Sequence, residues 1–121
     1  MTFSEYGRTL EFPMTEVYKV ILYDYYEWDE GRLFRHDETG LYAWIADSGC
    51  SCHYYLSEIR TVEELMSRTD WTPLDRQVPE ILRYIDSDKD QGSDSNGSAW
   101  RVAETARLHI FLREERAKGT A

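Results

Sequence analysis

Both cysteines of the chain and one of its three histidines fall in one short run, Asp47-Ser48-Gly49-Cys50-Ser51-Cys52-His53. Thiolate and imidazole are preferred zinc ligands, and a structural zinc site uses four. Cys50, Cys52 and His53 leave such a set one short, and a C-x-C spacing is tighter than the usual C-x₂₋₄-C. His109 is the candidate fourth ligand. His36 is not, because pairing around a turn at Asp37 to Gly40 puts Cys50 opposite Glu27, several residues along the sheet from His36. A zinc-binding domain is therefore the alternative reading, and no cofactor is the leading one. A cysteine nucleophile needs a lowered pKa and a base within reach. In an extended chain Cys52 and His53 project to opposite sides, so an enzymatic reading rests on Cys50 alone. A non-enzymatic protein is the expectation.

Other chemistry fails on its spacing. Asp86, Asp88, Asp90 and Asp94 alternate as in a calcium-binding loop, but Gly92 falls one place late and Gly97 stands where the closing bidentate carboxylate belongs. The phosphate-loop, dinucleotide, nucleophile-elbow and zincin signatures are absent from the sequence. Carboxylates are too numerous, at 23, for any pair to be diagnostic without a shared cleft.

The charge of −9, from 14 Lys and Arg against 23 Asp and Glu, repels phosphate backbones and disfavours direct nucleic-acid binding. The same surface suits a basic partner, including a DNA-binding protein that an acidic mimic would block. No apolar run approaches the ~18 residues of a membrane span, and the N-terminal residues lack a basic region followed by an apolar core. The expectation is a cytosolic protein with reduced thiols and no membrane partner.

The elements that must position these groups read as α+β in one domain, residues 1–121, a length that supports one core. The run Val17 to Trp28 is β-branched and aromatic on both alternating sides, as expected of a central strand covered twice. Asp29-Glu30-Gly31 supplies turn chemistry into a strand over Arg32 to His36, and Asp37 to Gly40 turns the chain again into Leu41 to Asp47. The result is a small three-stranded antiparallel meander. Thr61-Val62-Glu63-Glu64 is a capping box opening a short helix to about Arg68. Pro79 suits the first turn of a second short helix, with Ile81, Leu82 and Ile85 inward. Residues 86–98 contain no apolar side chain and read as a flexible acidic loop. Ser98 then caps a long C-terminal helix ending at Gly119.

That last helix is apolar on two sides. Ala99, Val102, Ala103, Ala106 and Ile110 form one stripe at helical spacing, and Leu108 and Leu112 lie nearly opposite, with Phe111 to one side. The stripe is expected to face the core. Leu108, Phe111 and Leu112, with the aromatic pair Tyr54 and Tyr55, are the candidate binding residues, facing a partner protein or a second subunit in a homo-oligomer.

The segment Tyr42 to Leu74, through Tyr42, Trp44 and the hexapeptide Asp47-Ser48-Gly49-Cys50-Ser51-Cys52, resembles a family of small uncharacterised proteins encoded by phages of actinobacteria. After Cys52 this chain departs from the family pattern with His53-Tyr54-Tyr55-Leu56-Ser57-Glu58. The resemblance implies a phage gene expressed in the host cytoplasm, and it transfers no activity and no catalytic residue. It implies an accessory protein that binds a host or phage protein, as in host takeover or anti-defence. At the hexapeptide itself the residues read as a structural corner: Asp47 and Ser48 bonding the turning backbone, Gly49 at positive φ, and Cys50 and Cys52 pointing together into the core.

Overall fold

The computed structural model describes residues 2–5, 8–24, 27–50, 61–87 and 95–119. Its elements are strands β1 (Thr2–Glu5), β2 (Arg8–Glu11), β3 (Met14–Asp24), β4 (Glu27–His36) and β5 (Tyr42–Cys50), then helices α1 (Val62–Arg68), α2 (Leu74–Asp86) and α3 (Ser95–Gly119). The chain is α+β, with a three-stranded antiparallel sheet in the order β3-β4-β5 and a separate β1-β2 hairpin. Two compact units divide it, Met1–Ile81 and Leu82–Ala121.

The turn at Asp37 to Gly40 lies where the sequence places it. Gly40 takes φ 72°, a conformation that costs a side-chain-bearing residue energy. His36 locks the turn from inside. Its Nδ1 accepts the amides of Glu38 at 3.2 Å and Thr39 at 3.3 Å, and its ring stands edge-on to Trp71 with centroids 5.3 Å apart. The register that follows puts Cys50 opposite Glu27, as expected.

Helix α3 begins at Ser95, inside the expected 86–98 loop and ahead of Ser98; within the sheet, three further assignments differ from the sequence reading. Asp29-Glu30-Gly31 lies inside β4, where Gly31 pairs with Val20 on one side and Ala46 on the other. Its glycine serves a close approach: a Cβ there would lie 2.0 Å from Cζ2 of Trp44. The central strand is consequently β4, and the run beginning at Val17 belongs to β3 at one edge. Asp47 to Cys50 continue β5 as strand, and Gly40 is the positive-φ glycine among the described residues, so the corner does not fall at Gly49. Asp47 Oδ1 still accepts the Ser48 amide at 2.9 Å.

Helix α2 begins at Leu74, ahead of the expected start, and carries Pro79 in its second turn. Proline there removes the bond to the Asp75 carbonyl, a local loss that burial on one side offsets. Leu74, Gln77, Ile81 and Ile85 recur at helical spacing and are all buried. Thr61 caps α1 as its sequence indicates, its side chain accepting the Glu64 amide at 3.0 Å.

The two faces of the sheet differ. On one, Phe12, Met14, Phe34 and Leu65 form a buried cluster, with Leu10, Ile45, Val62 and Trp71 packed against it. This cluster draws in both the β1-β2 hairpin and α1. On the other face Tyr18, Val20 and Leu33 are buried, and the indole of Trp44 covers the gap that Gly31 leaves.

Candidate functional site

Strand β5 is an edge, and edges expose unpaired amides and carbonyls that template unwanted pairing. Here the edge is closed at one end. Tyr42 and Thr72 exchange both backbone bonds, at 2.7 and 2.9 Å. Beyond them the side chain of Gln77 takes over as a surrogate strand: its Oε1 accepts the Trp44 amide at 3.1 Å, and its Nε2 donates to the Tyr42 carbonyl at 3.0 Å. The same nitrogen lies 2.6 Å from Thr72 Oγ1 and 3.2 Å from the Asp70 carbonyl. Gln77 is only 6 % exposed, so this amide is a buried polar group whose donor and acceptor are both satisfied. It ties strand β5 to α2 through these bonds.

The other polar cluster is partly buried against the sheet. Arg32 bridges Glu16 and Glu30, each at 3.0 Å, and Lys19 reaches Glu30 at 3.5 Å. The two positive and two negative charges of β3 and β4 balance, as partly buried charges must when they are paired across strands.

The cysteine run divides at the limit of the described residues. Cys50 closes β5, while Cys52, His53, Tyr54 and Tyr55 lie outside the described residues. His109 is exposed on α3, and His36 is engaged at its turn. Among the described residues no three His, Cys, Asp or Glu side chains gather as metal ligands.

Helix α3 corrects the sequence reading of its own faces. Leu108 is 0 % and Leu112 2 % exposed, with Phe111 half-buried beside them. The stripe expected inside is outside: Ala99, Ala103 and Ala106 are exposed, Val102 is 70 % exposed and Ile110 54 %. The reason is area. Five apolar positions outnumber two, but three are alanines, and each leucine buries several methylene groups worth about 0.8 kcal/mol apiece. Glu115 shares the inner side, buried and paired with Lys118 at 3.7 Å. Leu108 and Leu112 are therefore part of the buried interior, and the open apolar surface of α3 is the opposite side.

Charge separates along the chain as well. Residues 95–119 hold five Lys and Arg against three Asp and Glu, leaving nine against twenty elsewhere, so α3 is net positive in a chain of −9. On the open side Arg107, Arg113, Arg116 and Lys118 stand with Glu114 around the alanine row.

A three-stranded antiparallel meander with three helices defines a small α+β protein. The chain belongs to a family described as a domain of unknown function, DUF7574, whose model matches residues 3–107. That span takes in the sheet, the Gln77 clamp and the Ala99 to Ala106 part of the open row; Leu108, Ile110, Phe111 and Leu112 follow it. No curated protein and no solved structure matches the chain. No helix among the described residues is long and apolar enough to cross a membrane.

Proposed function

We propose that this is a phage-encoded accessory protein that acts in the host cytoplasm by binding another protein, without catalysis, through the solvent side of α3. The observation that carries the reading is the pairing of Val102 and Ile110, two large apolar side chains more than half exposed, on one helix side with three exposed alanines. Scattered exposed apolar residues are ordinary, whereas a contiguous row marks a contact surface. The phage origin is supported by the Asp47 to Cys52 hexapeptide and its resemblance to actinobacteriophage proteins. The partner is a host or phage protein, and the acidic remainder of the chain disfavours nucleic acid and anionic membrane as alternatives.

Affinity capture from an actinobacterial lysate, with and without co-expressed phage genes, tests the reading. Wild-type bait is expected to retain a stoichiometric partner, its own second copy included, that a Val102→Glu/Ile110→Glu bait loses. A partner held equally by both baits overturns the assignment of the surface. The zinc alternative, with Cys50, Cys52, His53 and His109, is checked on the same preparation: about one zinc per chain, lost on Cys52→Ser, would replace the binding reading with a metal site.

A further inference from the structure

We propose that the partner bound by α3 is an acidic protein segment with apolar anchors, its apolar side chains covering Val102 and Ile110 and its carboxylates meeting Arg107, Arg113 and Arg116. This rests on the reading of α3 as a contact surface and names the chemistry of its occupant.

The apolar part is carried by two large side chains. Val102 is 70 % and Ile110 54 % exposed, and with Ala106 midway they stand at intervals of four residues along one side of the helix. Arg113 prolongs that row three residues on, Arg116 flanks it, and Arg107 borders it on the other side; all three are exposed. From Val102 to Arg116 the row is about 21 Å long at the helical rise. Its first half is apolar and its second half basic.

The cations of this side are at the surface and their acids lie beneath. Arg107 pairs with Glu104 and Lys118 with Glu115, yet the two basic side chains are 51 % and 71 % exposed and the two glutamates 13 % and 3 %. A partner therefore meets Arg107, Arg113, Arg116 and Lys118, with Glu114 the exposed acid among the described positions of α3. Arg116 and Lys118 fall in the last turn, where cations answer the helix dipole. Arg107 and Arg113 lie ahead of that turn, so the dipole does not account for them.

The sign of this surface selects among occupants. A second copy would bring the same cations to the same place, setting like charges together. A nucleic-acid duplex continues its phosphates past the ends of so short a row, against a remainder of nine Lys and Arg to twenty Asp and Glu, and offers Val102 and Ile110 no apolar cover. A short acidic segment keeps its charge within about a Debye length of the arginines, ~8 Å at physiological ionic strength. The acidic remainder of the chain then repels it elsewhere and leaves α3 as its site.

Fluorescence anisotropy of a labelled synthetic peptide of glutamate and leucine, its leucines alternating at intervals of four and three, tests this against the full chain. The glutamate peptide is expected to bind with an affinity that falls as salt rises, and the same peptide with lysine for glutamate is expected not to bind. Arg113→Glu/Arg116→Glu should weaken the complex about tenfold or more, as should Val102→Ser/Ile110→Ser, with the helical circular dichroism of both variants unchanged. Arg76→Glu/Arg83→Glu reverses two exposed arginines of α2 to the same net charge and should leave most of the binding in place. Should the α3 reversal fail to fold, Arg113→Gln/Arg116→Gln gives the same reading. No binding of the glutamate peptide, equal binding of the lysine peptide, or equal losses on the α2 and α3 reversals overturns the proposal. A DNA duplex bound more tightly than the glutamate peptide, through the same arginines, overturns it in favour of nucleic acid. A chain that captures a stoichiometric partner through Val102 and Ile110 yet ignores the glutamate peptide would end this inference and leave the proposed function standing.

Discussion

The apolar row of α2 and the outer row of α3 have similar helical spacing and opposite fates. In α2, Leu74, Gln77, Ile81 and Ile85 are all buried, the polar member included, because the Gln77 amide finds backbone partners at both of its ends. In α3, Ala99, Val102, Ala103, Ala106 and Ile110 are all exposed, although none is polar. Spacing marks a row as a unit. What sends it inward is the area its side chains remove from water and the satisfaction of any polar group it carries along.

The largest effect expected from this contrast is on the inner side of α3. Leu108→Ala should lower the unfolding free energy by about 2 to 5 kcal/mol, the range for truncating a buried leucine and leaving a cavity. Denaturant unfolding measures it directly. A loss under ~0.5 kcal/mol, the ordinary surface value, would mean that Leu108 is not interior and that the two faces of α3 have been exchanged.

Gln77→Leu comes next and tests whether the polar member of the α2 row is a necessity. It retains similar bulk but removes the acceptor of the Trp44 amide, costing about 1 to 3 kcal/mol if that amide is left unsatisfied, while the Tyr42 carbonyl keeps its bond from the Thr72 amide. Hydrogen exchange at the Trp44 amide should accelerate along with the loss of stability. An unchanged exchange rate would show that water replaces the side chain there without cost.

Gly31→Ala should cost a comparable amount, about 1 to 3 kcal/mol, since a methyl group 2.0 Å from the Trp44 ring forces the indole aside. Combining it with Trp44→Leu should recover part of the loss, because the clash disappears with the ring; purely additive losses would locate the cost in the strand backbone instead.

These sites also mark where the sequence was legible. The Asp37 to Gly40 turn is a local signal, and once it is placed the pairing of Cys50 with Glu27 follows by counting. The Thr61 cap is equally local. Gly31 was misread because glycine after Asp29-Glu30 has the chemistry of a turn, while its actual use depends on Trp44, a diagonal neighbour visible only with the register in hand. Gln77 carries no sequence signal as an edge clamp: its partners Tyr42 and Trp44 lie 35 and 33 residues away. Pro79 drew the start of α2 too late because proline favours a first turn, yet Leu74 and Gln77 are buried ahead of it. The β1-β2 hairpin escaped notice, its strands being four residues each and lacking a long alternating pattern.

The smallest expected effect on stability is also the sharpest test of the contrast. Ile110→Ser removes a side chain 54 % exposed, on a helix whose other side supplies the burial. It should shift the unfolding free energy by no more than about 0.5 kcal/mol, as surface substitutions do. Partner capture by the same variant should nevertheless weaken, because Ile110 belongs to the open row proposed as the contact surface. Leu108→Ala, two residues earlier, should do the reverse, lowering stability while leaving association by the remaining folded chains intact. If both substitutions lower stability alike, the outer row belongs to the fold of a single chain, and α3 offers no surface for a partner.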